Sequence, residues 1–382
     1  MGHYWAFVTG GLAALLAVAP AQAANAPVPV EIPVALLVDL SSGQHLYARE
    51  IDRRFMPASV TKVMTAYTAF RLIDEGRMHP STPFLISQEL EDQWSGEGST
   101  MFLKAGERPT FGELLLGATT VSGNDASVAL ALASTGSLIN WLALMNRNAG
   151  ELGMVNTHFG SPNGFPDEGQ TFTSARDLAT LGEAVVTRYP GLYRRYFGHS
   201  TLTWRGLTQG NHDPVTGRVA GGDGMKTGFT SEAGYTVIGS AKRNGRRLIV
   251  VLAAAPTGRV RDMTARALLE WGFSNFTSSP MTERGVTVGR ARVQDGSARH
   301  VPLRTARPVA IVRPVGSTTA PRASIRYHGP LVAPISEGDV VANLHIELAG
   351  MPALDVPLEA AASVTEANAL QRLGNGLAGL FT

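Results

Sequence analysis

The 382 residues contain no cysteine, which excludes disulfides, thiolate metal sites and thiol nucleophiles. An excess of either charge is also lacking: 33 Lys and Arg nearly balance 31 Asp and Glu, and the formal net charge of only +2 argues against nucleic acid as a general partner. The nine histidines lack ligand spacing, so no metal is implied. Long apolar runs are few. The run from Ala6 to Ala19 is shorter than the roughly 20 residues that a bilayer span needs, and no Lys or Arg precedes it. With Ala21-Gln22-Ala23 behind it, the run reads as a signal peptide over residues 1–23, cleaved after Ala23; the alternative is a retained N-terminal anchor or a buried helix. A cleaved signal places the protein outside the cytoplasm.

What is present is ample for a core. The chain is 44% hydrophobic with 42 glycines, and its length suggests more than one domain at about 100–200 residues each. The apolar run Pro33 to Asp39 predicts a buried strand, and Ser41-Ser42-Gly43-Gln44 a turn into a second strand at His45–Ala48. Helical spacing follows from Val63 to Phe70, over Phe111–Thr119 and through most of Asn124–Gly150. Another helix starts after Ser174. Asn244-Gly245 marks a hairpin between Gly234–Ala241 and Leu248–Ala254, with a helix from about Asp262 to Trp271. The expected class is α+β: an antiparallel sheet carrying helices, over residues 24–276.

Thr277-Ser278-Ser279-Pro280 reads as a linker. Beyond it, residues 281–358 read as a small all-β domain of short strands. No acidic residue occurs between Asp295 and Glu337, whereas Arg299, Arg304, Arg307, Arg313, Arg322 and Arg326 do. This is either a solvated strand face or a surface for anionic polymers or lipid head groups. Residues 359–382 are expected to form a terminal helix with Leu370, Leu373, Leu377, Leu380 and Phe381 on one face. Its polar side carries only Arg372 against Glu359 and Glu366, so packing on protein and contact with a membrane both stay open.

Chemistry concentrates in three short motifs. Ser59-Val60-Thr61-Lys62, after Pro57, places a hydroxyl and an amine one helical turn apart near a helix N-terminus. A serine becomes a nucleophile when a base takes its proton, and a buried lysine with a lowered pKa can be that base. Ser122-Gly123-Asn124 and Lys226-Thr227-Gly228 follow in order. Each motif alone is weak. The ordered trio is the mark of serine β-lactamases and penicillin-binding proteins.

The chain from residue 33 to about 276 resembles the low-molecular-mass penicillin-binding proteins of the D-alanyl-D-alanine carboxypeptidase type. Beyond the trio, the resemblance rests on Phe55–Tyr67, Ser99–Leu103, Leu152-Gly153-Met154 with Thr157-His158-Phe159, and Leu268–Phe273. It implies a β-lactamase/transpeptidase-like fold, a small β domain at 281–358, and a terminal helix where some members carry a membrane anchor. It further implies Ser59 as the acylated nucleophile, Lys62 as its base and Ser122 as the proton shuttle to the leaving amine. Asn124 would contact the substrate backbone and Lys62, Lys226 and Thr227 would receive the substrate carboxylate, and Gly228 would allow close approach. The backbone N–H groups of Ser59 and Phe229 would form the oxyanion hole. Arg261 would bind the terminal carboxylate, with Arg259 as a nearby competitor; His158 is expected to be structural.

The implied activity is a serine carboxypeptidase acting on peptidoglycan stem peptides that end in D-Ala-D-Ala, inhibited by β-lactams, without cofactor. The implied place is the periplasm, with peripheral contact to the inner membrane. DD-endopeptidase action on cross-links uses the same residues. A class A-like β-lactamase would need a glutamate acting through water, yet Glu168 lacks the expected following pattern and the middle motif has Gly123. A non-catalytic cell-wall scaffold has no need of an activated serine.

Overall fold

A computed structural model describes residues 26–368 and 371. Residues 1–25, which include the expected signal peptide, and residues 369–370 and 372–382, which carry the expected terminal-helix face, lie outside the described residues.

The first domain is built on a five-stranded antiparallel sheet. Its strands are β1 (Val34–Asp39), β2 (Gln44–Arg49), β5 (Gly222–Thr230), β6 (Gly234–Arg243) and β7 (Arg246–Ala255), in the order β2-β1-β7-β6-β5. Strand side chains alternate between faces, and here both faces are covered. Val34, Leu36, Val38, Ile249 and Val251 point into the larger core, whereas Ala35, Leu37, Leu248, Val250 and Leu252 point into a second one. That explains why β1 reads as a continuous apolar run. The second core is closed by α8 (Gly258–Asn275) through Ala265, Leu268 and Leu269.

The helices between β2 and β5 fill the larger core. They are α1 (Lys62–Asp74), α2 (Gln88–Trp94), α3 (Phe111–Thr120), α4 (Asn124–Thr135), α5 (Leu138–Glu151), α6 (Ala175–Arg188) and α7 (Pro190–Tyr196). α1 runs through the interior, with Val63, Met64, Tyr67 and Phe70 buried. α3 begins with a capping box between Thr110 and Glu113 and delivers the chain to Ser122. A short hairpin, β3 (Thr201–Trp204) with β4 (Leu207–Gly210), precedes the edge strand β5.

The second domain is all β, as expected. A six-stranded sheet has the order β12-β14-β15-β10-β9-β13, formed by β9 (Thr287–Gln294), β10 (His300–Thr305), β12 (Arg322–Arg326), β13 (Leu331–Val332), β14 (Val340–Glu347) and β15 (Leu354–Ala360). β8 (Phe276–Thr282) pairs with β11 (Val309–Pro314) beside it. Two expectations change. The stretch read as a linker is strand β8, because Ser278 and Ser279 pair with Val312 and Ile311, and Phe276 packs with Val312 into the second core of the first domain. Residues 359–366 are not helical: β15 runs to Ala360, and Val364 and Glu366 bridge to Ile335 and Gly296. The polar turn residues that suggested a linker are satisfied by ladder partners that are distant in sequence. Among the described residues no single helix is long and apolar enough to cross a membrane.

Candidate active site

Ser59 sits on a tight 3-10 turn, Ala58–Thr61, that leads directly into α1. The Val60 N–H donates to the Pro57 carbonyl, and Ala58 holds a φ of +49°, an unusual conformation for a residue with a side chain. Such strain persists only where the surroundings fix it. The turn faces a cleft of about 490 Å³ and presents the Ser59 hydroxyl to it.

Lys62 lies beneath that hydroxyl, fully buried, with its Nζ 2.8 Å from Ser59 Oγ. Its other two contacts are the Asn124 side-chain carbonyl at 2.8 Å and the Asn163 backbone carbonyl at 2.7 Å. Both can only accept. A neutral amine has two N–H donors and one lone pair, so donating to those two carbonyls leaves the lone pair for the Ser59 proton. Burial first, then the charge of Lys226, pushes the Lys62 pKa well below the usual lysine range, with Asp125 opposing.

The second motif forms the opposite wall. Ser122 has a φ of +63°, and its side chain faces the cleft. Asn124 opens α4 and ties three segments together: its N–H donates to Ser99 O, its Nδ2 to Glu97 O, and its Oδ1 receives Lys62. Asp125 locks the same loop by accepting from the Met101, Leu103 and Ala126 N–H groups.

The third motif lies on the edge strand β5. Lys226 is buried, with its Nζ donating to Thr227 O. Burial, followed by the Arg261 charge, lowers its pKa to about 7 against the pull of Asp213. Thr227, Gly228 and Phe229 line the cleft. A Cβ on Gly228 would lie 2.5 Å from Pro57 O, so the close approach that its missing side chain permits is first to the turn carrying Ser59. Phe229 stacks on Tyr235 with ring centroids 4.2 Å apart.

Arg261, on α8, lines the same end of the cleft, with Asp262 bonded to its Nε at 2.8 Å and the Tyr235 ring below it. Arg259 is exposed and lies outside the cleft lining. The His158 ring bonds to Gln170 O and also lies outside it.

Thus Ser59, Ser122, Asn124, Thr227, Gly228, Phe229 and Arg261 share one cleft, with Lys62 and Lys226 buried beneath it. Sequence reading missed Asn163, Asp125, Gly164 and His212. Asn163-Gly164 is visible as a turn dipeptide, but nothing in the sequence says that its backbone carbonyl reaches Lys62, 101 residues away.

Comparison with known proteins agrees with this geometry. Residues 21–257 match the family described as D-alanyl-D-alanine carboxypeptidase, and residues 276–366 match the C-terminal domain of penicillin-binding protein 5. The chain belongs to the D-alanyl-D-alanine carboxypeptidase family. It is a serine peptidase with the α+β catalytic fold and C-terminal β domain expected from its sequence. The family's DacD of Escherichia coli is 34% identical over 359 residues, covering 91% of each chain. Penicillin binding protein 5 from Haemophilus influenzae superposes with a TM-score of 0.77 at 31% identity, over 89% of this chain and 99% of its own. Penicillin-binding protein D2 from Listeria monocytogenes, solved in an ampicillin-bound form, has a TM-score of 0.57 at 27% identity, over 64% of this chain and 98% of its own.

Proposed function

We propose that this carboxypeptidase removes the terminal D-alanine from peptidoglycan stem peptides through an acyl-enzyme on Ser59. The observation that carries the assignment is the 2.8 Å contact between Lys62 Nζ and Ser59 Oγ, with both remaining Lys62 contacts made to acceptors. Lys62 takes the hydroxyl proton as Ser59 Oγ attacks the carbonyl of the penultimate D-alanine. The oxyanion is received by the backbone N–H groups of Ser59 and Phe229, where loss of one donor typically costs about 100–1000-fold in rate. The peptide C–N bond then breaks, and Ser122 passes a proton to the leaving amine. Water hydrolyses the ester and frees Ser59. Thr227 and Arg261 hold the terminal carboxylate, which a guanidinium can bind through two parallel hydrogen bonds, and Lys226 keeps the local field positive.

A β-lactam enters by the same route, but its leaving nitrogen stays tethered to the acyl group. The substrate supports an exported protein that works in the periplasm in wall maturation and cell shape. The apolar stretch before Ala21-Gln22-Ala23 supports export as well. The apolar positions after residue 369 support peripheral contact with the inner membrane.

The test is intact mass after incubation with benzylpenicillin, beside D-alanine release from a pentapeptide. A stable adduct on Ser59 together with release is expected, and Ser59→Ala should lose both. Neither event in the unsubstituted protein would leave a scaffold on an enzyme's fold.

A further inference from the structure

His212 lines the same cleft as Thr227 and Arg261, and its ring makes no hydrogen bond to any described residue. The residue is exposed to solvent, yet it is not loosely held. The corner that carries it is fixed on both sides by side chains spent on the backbone. Asn211 donates from its N–H to Ser200 O and from Nδ2 to His199 O, and its Oδ1 receives the Asp213 N–H. Asp213 accepts from the N–H groups of Val215 and Thr216 and from the Thr216 hydroxyl. Pro214 limits the backbone between Asp213 and Val215. Val215 anchors the corner in the second core, against Gly239 of β6. A pinned corner that points an unpaired imidazole into a substrate cleft is a receptor waiting for a partner.

The charges around it define that partner. Lys226 on β5 and Arg261 on α8 act on the ring, and Asp262 on α8 opposes them. Asp262 already occupies one edge of the Arg261 guanidinium, so part of that charge is spent inside the protein. An incoming carboxylate therefore meets an arginine that is partly neutralised, with an additional donor, His212, beside it.

We propose that His212 completes the receptor for the peptide's terminal carboxylate, together with Thr227 and Arg261, and holds it more tightly in its protonated form. The proposal rests on the carboxypeptidase reading above. In the free enzyme, partial desolvation in the cleft and the two cations lower the ring's pKa and so favour its neutral form. A bound carboxylate reverses the local field, so the ring takes up a proton as the peptide binds. His212 is thus a positioning residue that links capture of the peptide to pH.

The experiment uses the full chain carrying Ser59→Ala, labelled at histidine Cε1 and followed by NMR from pH 5 to 8. The resonance is assigned by its loss in a second variant, His212→Gln. Saturation with an N-acylated peptide ending in D-Ala-D-Ala should raise the His212 pKa by about one unit, which corresponds to about tenfold tighter peptide binding at low pH than at high pH. His212→Gln should lose most of that difference while still binding peptide at pH 8. A His212 pKa that stays put while the peptide binds overturns the proposal. So does an unchanged pH dependence in His212→Gln, because Lys226 alone would then account for it. D-alanine release by the unsubstituted chain separates the two readings: release with an unmoved ring removes only the role of His212, whereas no release removes both.

Discussion

Gly164 stands so close to the turn before Ser59 that a Cβ on it would lie 1.9 Å from the carbonyl oxygen of Ala58. Its φ of +72° adds a second reason for glycine. The preceding residue, Asn163, supplies the backbone carbonyl that receives Lys62. One contact therefore joins the packing of a loop to the environment of the Lys62 amine. Gly164→Ala must push the loop away from the turn and take that acceptor with it. Acylation by benzylpenicillin should slow by at least about 100-fold, with a stability loss of about 2–4 kcal/mol in thermal unfolding. Gly169→Ala is the control. It has a similar φ of +84° but open space around its Cβ, so it should cost only about 1 kcal/mol and leave acylation intact.

The two buried lysines predict a pH profile. With Lys62 as the proposed base, acylation would require its neutral form, and its pKa is held well below 10.5 by burial and by Lys226. The second-order rate of acylation by benzylpenicillin should rise with pH and level off far below the ordinary lysine pKa. Lys226→Gln removes a repelling cation, so the acid limb should move to higher pH. Lys62→Arg keeps a charge that cannot be given up near neutral pH and should slow acylation by about 100- to 10,000-fold. Either variant with an unchanged profile would remove Lys62 from the role of base.

The same burial carries a stability cost. Lys226 titrates at about 7 in the fold, below its value of 10.5 in the unfolded chain, so the unfolded state binds more protons between those limits. Stability from this group rises with pH across that window and is lost as pH falls towards 7. Lys226→Met should therefore raise the melting temperature while abolishing peptide turnover. The gain should be largest at pH 7 and below, on the order of 1 kcal/mol or more, and should shrink towards pH 10. Differential scanning calorimetry at pH 6 and pH 9.5 checks the sign.

How much of this was legible in the chain depends on whether a feature is local. Ser59 and Lys62 are one helical turn apart, so their meeting follows from spacing alone. The strands and the Asn244-Gly245 hairpin follow from alternation and turn chemistry, and the two-faced burial of β1 shows in its unbroken apolar run. What stayed hidden was carried by backbone atoms or by distant partners. Asp125 looks like an ordinary first-turn acid of α4, yet its carboxylate receives the N–H groups of Met101 and Leu103 and fixes the loop that Asn124 also holds. Strand β8 read as a linker because Thr277-Ser278-Ser279-Pro280 is turn-like, and only its pairing with β11 makes it a strand. His212 has no motif around it; its place in the cleft arises from a corner fixed by Asn211 and Asp213.

The cleft also bears on how long an acyl group stays. Among the described residues that line it, none carries a carboxylate; the polar groups are hydroxyls, amides, His212 and Arg261. Glu168 is exposed and lies outside the lining. A glutamate-activated water of the kind used by class A β-lactamases therefore has no base here. The penicilloyl adduct on Ser59 should persist at full occupancy after free penicillin is removed, as read by intact mass over time. Rapid loss of the adduct with recovery of free enzyme would make this cleft a β-lactamase site.

The position of the last described strand determines where the tail can be cut. A chain ending at Leu358 would remove the last two residues of β15, which pair with β10 and β14, and the bridges of Val364 and Glu366 to Ile335 and Gly296. Ala360 and Val364, which that chain would lack, are buried in the core of the β domain. That truncation should destabilise the second domain by about 2–4 kcal/mol, through the lost ladder pairing and the lost Val364 packing, and should yield aggregated protein. A chain ending at Asn368 keeps every one of these contacts. It should fold with an unchanged melting temperature and acylate Ser59 at the full rate. If the residues beyond it are the membrane contact, only the full chain should sediment with anionic vesicles at low salt. Equal sedimentation of both chains would place any membrane contact on the β domain itself, where Arg290, Arg292 and Arg322 are exposed.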